Sequence, residues 1–136
     1  MAKLFTALLV LMAATLVVCD PPYRLCKGVD DSIIAISKVT ITPWPVQKGK
    51  PAKFQIEGTA KKDITQKGGR MDILVGTTKI FSTAVGSSST TKAGPYNYQF
   101  QYALPSFVPP GDYFDDISMV GTDGSILTCI ELDMHF

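Results

Sequence analysis

Side chains able to do covalent chemistry are few and poorly placed for it. The only histidine, His135, stands beside the C-terminus, so a Ser-His-Asp or Cys-His arrangement has one possible base. A hydrolase would have to depend on that residue. The pair Asp115-Asp116 could supply a general acid and base, or half of a calcium site. Neighbours in a strand point to opposite faces, however, and cannot converge on one substrate. A solvated edge is the simpler expectation for both. No phosphate-cradling glycine loop opens a helix, because no helical period is visible. A zinc site would want four ligands, and besides the cysteines only His135 could help. No catalytic residue, metal or cofactor is expected.

The cysteines suggest a different role. There are three. Lys3 followed by a run from Leu4 to Val18, interrupted only by Thr6 and Thr15, reads as a secretory signal over residues 1–19, leaving a single domain over 20–136. The run is short for a spanning helix, which needs roughly 20 apolar residues. An uncleaved anchor is the alternative. Cleavage after Cys19 removes the odd thiol, whereas cleavage after Ala14 keeps it. Parity favours Cys19, leaving Cys26 and Cys129 to join in an oxidising compartment.

These features need a scaffold, and the spacing of apolar residues describes one. Glycines and prolines break the chain at short intervals, and alternating stretches lie between them. In Tyr96-Asn97-Tyr98-Gln99-Phe100-Gln101-Tyr102 the aromatics share one face and the amides the other. Seven strands are predicted, at 33–42, 51–58, 61–66, 70–76, 96–103, 112–120 and 125–135. Many short strands with frequent turns point to an all-β antiparallel sandwich or barrel. In the last strand Ile126, Ile130, Leu132 and Met134 share one face, with Cys129, Glu131, Asp133 and His135 on the other. Ile34 and Ile36 fall out of phase with Val39 and Ile41, which predicts a bulge near Ser37-Lys38. Asp115 falls on the face of Tyr113, Ile117 and Met119, where an unpaired carboxylate is costly. Either the strand changes phase there or the acid sits at a wet end of the sheet. The stretch Ser82 to Gly94, small and polar, reads as a mobile surface loop.

At 136 residues, 46% hydrophobic and 18% charged, the chain can bury one core and leaves no room for two. Its formal charge of +1 shows no bias toward nucleic acid. The halves differ: from Asp20 to Arg70 ten basic residues face five acidic ones, and from Met71 onward two face seven. Such a dipole can orient a protein at an anionic surface if the fold keeps the halves apart. The sequence has no N-x-Ser/Thr acceptor for N-linked glycan.

Specific strings add a resemblance. Val39-Thr40-Ile41-Thr42-Pro43-Trp44-Pro45-Val46-Gln47-Lys48-Gly49-Lys50-Pro51-Ala52 resembles the first-strand signature of the ML lipid-recognition family. Leu104-Pro105, Pro109-Pro110-Gly111-Asp112-Tyr113 and Asp123-Gly124-Ser125-Ile126-Leu127-Thr128-Cys129-Ile130 resemble its C-terminal signature, in the same order. The sequence is most similar to the phosphatidylglycerol/phosphatidylinositol transfer proteins and the Niemann-Pick type C soluble sterol carrier of that family. The resemblance implies an immunoglobulin-like sandwich of two antiparallel sheets with a lipid cavity between them, holding a sterol or a phospholipid chain. It also implies a disulfide between the first and last cysteines, matching Cys26 and Cys129. Family members usually carry a further cysteine pair where this chain has Ser82 to Gly94, so a looser pocket lip is expected.

Carried over by position, Ser106, Phe107, Val108, Pro109, Pro110 and Tyr113 flank the entrance, and Ile130 and Leu132 line the wall. Alternation alone adds Phe54, Ile56, Ile73, Val75, Tyr98, Phe100, Tyr102, Ile117 and Met119. The expected partners are a lipid and, transiently, a membrane surface, where Lys61, Lys62, Lys67 and Arg70 could meet anionic headgroups; no nucleic acid is expected. The expected state is a secreted or vacuole-like luminal monomer. The competing reading is a recognition or adhesion module whose interior is packed solid, with a large exposed apolar patch.

Overall fold

The computed structural model describes residues 20–136; the signal expected over 1–19 lies outside them. Nine strands and no helix occur among the described residues: β1 (Tyr23–Leu25), β2 (Ile34–Thr42), β3 (Pro51–Ala60), β4 (Ile64–Val75), β5 (Thr78–Val85), β6 (Ser89–Thr91), β7 (Gly94–Ala103), β8 (Asp112–Gly121) and β9 (Ile126–His135). They form two antiparallel sheets. One runs β1-β9-β8-β4-β5, with β6 also on β4, and the other runs β2-β3-β7. The predicted sandwich is therefore present, with nine strands where seven were expected.

The differences have local causes. Gly68-Gly69, read as a turn between two strands, lies within β4 as an irregularity, where the pairing to β8 shifts between Gln66 and Gly68. Glycine inside a strand often marks a bulge rather than an end. The Ser82 to Gly94 stretch is not a plain loop: β5 runs to Val85 along β4, and Ser89–Thr91 pairs with Ile64–Gln66. Threonines suit a pleated surface despite their polarity. β1 was missed because three residues carry no readable period.

The bulge near Ser37-Lys38 is present, with the β2–β3 register shifting between Ile36 and Lys38. It brings the backbone of Ala35 so close to Gly58 that a Cβ there would collide with the Ala35 carbonyl oxygen, so only glycine fits. The bulge lets Ile34 and Val39 both turn inward. Cys26 and Cys129 are joined across 103 residues of sequence, and the Cys26 amide donates to the Cys129 carbonyl at 3.0 Å.

Candidate functional site

The inward faces of the sheets build an almost wholly apolar gap. On the larger sheet, in-register rows run Phe81–Ile73–Asp115–Leu132–Tyr23 and, beside it, Met71–Ile117–Ile130. On the smaller sheet Ile41, Phe54, Ile56, Tyr96, Tyr98 and Phe100 are buried against them. Phe54 and Phe100 lie side by side in register, their rings stacked with centroids 4.9 Å apart. Alternation had placed Phe54, Ile56, Ile73, Tyr98, Phe100, Ile117 and Met119 here, and the family signature Ile130 and Leu132. All nine are buried in one cluster.

Val75 does not join them. It is 49% exposed at the end of β4, because a register shift between Ile73 and Leu74 breaks the alternation before it. Ile126 likewise lies outside, 40% exposed, beyond the β8–β9 irregularity at Met119/Val120.

The tyrosine hydroxyls that enter the gap need partners, and most find them. Tyr96 donates to the Gln66 side-chain oxygen at 2.7 Å, and Gln66, wholly buried on β4, passes its amide protons to the Gly68 carbonyl and the Met119 sulfur. Tyr98 donates to the Ser87 carbonyl at 2.7 Å. Gly86 makes room for this contact, since any Cβ there would strike the Tyr98 ring. Tyr113 donates to the Pro109 carbonyl at 2.5 Å. Tyr102 differs: its hydroxyl is buried and has no hydrogen-bond partner among the described residues.

One end of the gap is closed by the 104–111 segment. Leu104 and Val108 are buried plugs, while Phe107 between them is 77% exposed and Pro109 and Pro110 face solvent. Lys48 donates to the Val108 carbonyl at 2.8 Å and the Gly49 amide to the Leu104 carbonyl at 2.7 Å. The Pro43–Pro51 turn is thereby fastened to this segment. Of the flank residues expected from the signature, Ser106 to Pro110 share one loop with Phe107 its apolar tip, while Tyr113 lies buried on β8 and reaches the loop through its bond to the Pro109 carbonyl.

Asp115 answers neither sequence expectation. β8 keeps its phase, and the residue is 2% exposed between Ile73 and Leu132, with both carboxyl oxygens unpartnered among the described residues. Burial pushes its carboxyl well above the usual range, and the negative charges of Asp116 and Asp72 push it further. Both effects favour its neutral form over the carboxylate.

The outer face of the same sheet carries a second acidic row, Asp72–Asp116–Glu131, ending on Arg24. Arg24 bonds Glu131 at 2.5 Å and Asp133 at 3.0 Å, while Arg70, Lys79 and Ser82 hold Asp72. Asp116 is raised to about 7 by partial burial and by sharing its proton with Glu131, whose own carboxyl is lowered by the same bond. A raised folded-state value means that folding takes up a proton between about pH 4 and 7. That stabilisation is complete near pH 4 and is lost as pH rises through 7. Thermal unfolding is therefore expected at higher temperature at pH 5 than at pH 7.5, with Asp116→Asn reducing the slope and leaving the part that the raised Asp115 contributes in the same direction. An unchanged midpoint across that range would contradict this account.

His135 pairs with Asp112 on the surface, and its side chain bonds nothing else among the described residues. Lys67 and Arg70 border a groove of about 370 Å³ with Ser82, Thr83 and Val85, but Lys61 and Lys62 are not among its lining residues.

Comparison with known proteins places this architecture. Residues 20–136 match the family model described as ML domain. A phosphatidylglycerol/phosphatidylinositol transfer protein of Mycosarcoma maydis is 25% identical over 121 residues, covering 80% of this chain and 63% of its own length. The chain thus spans under two thirds of that relative. A Dictyostelium discoideum protein provisionally given the same name is 24% identical and matches over 99% of both chains. Among solved structures, a Niemann-Pick type C2 protein from Japanese carpenter ant superposes with a TM-score of 0.66 at 9% identity, over 84% of this chain and 98% of that one.

Proposed function

The chain belongs to the ML domain family, and from that membership we propose that it is a non-enzymatic lipid carrier, taking the apolar part of a phospholipid or sterol between its two sheets. The observation that carries the reading is the pair of facing apolar walls, centred on Phe54, Phe100, Ile117 and Ile130. The names of the Mycosarcoma and Dictyostelium relatives support a phosphatidylglycerol or phosphatidylinositol cargo. The disulfide suits a secreted or luminal protein whose first 19 residues act as a signal.

Carriage needs no covalent step. A lipid tail crossing water exposes surface at about 25 cal/mol per Å², and a dry interior removes that cost while leaving transfer between two apolar environments close to neutral. Phe107 at the loop tip, with Lys48 behind it, is the segment proposed to touch the bilayer, where an aromatic tip and a cationic base suit the interface.

Organic extraction of natively purified protein, read by mass spectrometry, is expected to release roughly one lipid per chain, as a single binding cavity would hold. Labelled phosphatidylinositol, phosphatidylglycerol or sterol should then move between vesicles faster in its presence. Protein that yields no lipid and accelerates none of these would sink the proposal. It would favour the packed recognition module, for which the stacked Phe54 and Phe100 in the gap speak.

A further inference from the structure

We propose that Asp115 and Tyr102 together form an internal contact for one uncharged hydroxyl group carried on an apolar body; the proposal rests on the carrier reading above and names the chemistry of its cargo.

The argument begins from contrast. Three of the inward tyrosines, Tyr96, Tyr98 and Tyr113, end on protein acceptors. Tyr102 and Asp115 do not, although the Tyr102 hydroxyl and both Asp115 oxygens are buried. A buried polar group left unpaired costs roughly as much as a lost hydrogen bond, and native interiors rarely tolerate several together. These two occupy opposing sheets: Tyr102 is next to last in β7, and Asp115 sits mid-row on β8. They are near enough for Asp115 to act electrostatically on the Tyr102 phenol. In the Asp115 row Phe81, Ile73 and Leu132 are apolar, and the Tyr23 hydroxyl donates instead to the Ile36 carbonyl at 3.3 Å, leaving both Asp115 oxygens unpartnered among the described residues.

The pair's chemistry selects its complement. A protonated carboxyl presents one donor and one acceptor, and a phenol presents the same. A lipid hydroxyl, itself donor and acceptor, satisfies both at once. A phosphate does not suit the site, because an anion would have to be desolvated beside an acid that already resists ionisation, with no cation in the row to compensate. A phosphoinositide would therefore hold only its tails in the gap and keep its headgroup outside, leaving this contact unused.

The test is competition for a bound anthroyl-labelled acyl probe, using cholesterol against cholestane and octadecanol against octadecane. In the native protein at least one hydroxylated member should compete about tenfold better than its deoxy counterpart, the size of one buried hydrogen bond. Preference within the sterol pair marks a fused-ring body and within the other a straight chain; either supports the proposal. Tyr102→Phe and Asp115→Leu should erase the preference while the probe still binds, and Asp115→Asn, which keeps a donor and an acceptor, should preserve it. Should Asp115→Leu fail to fold, Tyr102→Phe, lacking one oxygen only, decides alone. Equal competition in the native protein, or a preference that survives Tyr102→Phe, overturns the proposal. Native protein that binds no probe at all overturns the carrier reading instead.

Discussion

Replacing both Cys26 and Cys129 with alanine is expected to lower the unfolding midpoint by roughly 15 °C, from about 4–5 kcal/mol of lost chain-entropy stabilisation for a loop of this length. The bridge closes 103 residues, nearly the whole domain. Among the described residues nothing else near β1 matches it: β1 is three residues long, and its Arg24 pairs with Glu131 and Asp133 at the surface, where ion pairs contribute about 0–1 kcal/mol. Without the bridge, β1 should fray from β9 before the rest unfolds. Hydrogen exchange would show this as selective loss of protection at Tyr23–Leu25. A midpoint shift of only a degree or two, with lipid retention unchanged, would mean that the sheets hold themselves and the staple is incidental.

Ile130→Asp is expected to have the other large effect. Ile130 is 1% exposed, paired in register with Ile117 and Leu25. An unpaired carboxylate there should cost several kcal/mol, a large part of the 5–15 kcal/mol typical of a whole domain. Lipid uptake should vanish, but so should much of the folded population. Ile130→Phe separates the two: it adds volume between the sheets without charge, at an overpacking cost of about 1–3 kcal/mol. That variant should stay folded by near-UV circular dichroism while losing vesicle-to-vesicle transfer. Undiminished transfer by folded Ile130→Phe would place the cargo away from this wall.

What could be read from the chain followed from interactions that are local or simply periodic. The two-residue repeat of Tyr96 to Tyr102 assigned the inner face of β7 before any partner strand was known, because the pleat alone sends alternate side chains to opposite sides. The phase break between Ile36 and Val39 announced the bulge for the same reason. Cysteine parity reached the observed disulfide, since in an oxidising compartment the number of thiols restricts their pairing.

The misreadings share a cause as well. Gly68-Gly69 and the Ser82 to Gly94 stretch carry residues suited equally to turns and to irregular strands, and only the neighbours decide between them. β4 supplies that decision by pairing with β6 over Ile64–Gln66 and with β5 over Gly69–Val75, while β8 pairs with it from Gln66 to Leu74. Val75 and Ile126 fell off the inner face through register shifts, which belong to a strand pair and not to either strand.

Asp115 marks the boundary most clearly. Its position in the alternation was plain, and chemical expectation argued against that position. The sequence alone determined an all-β chain and most of the inner face, and thiol parity favoured the disulfide that the structure shows, because periodicity and thiol count are properties of the chain itself. Only the tertiary structure decided that an acid stays inside and that the Tyr102 hydroxyl, on the opposite sheet, is also buried without a partner among the described residues. Whether a buried polar group has a partner depends on what the fold brings across the gap, and that is set by strands far apart in sequence.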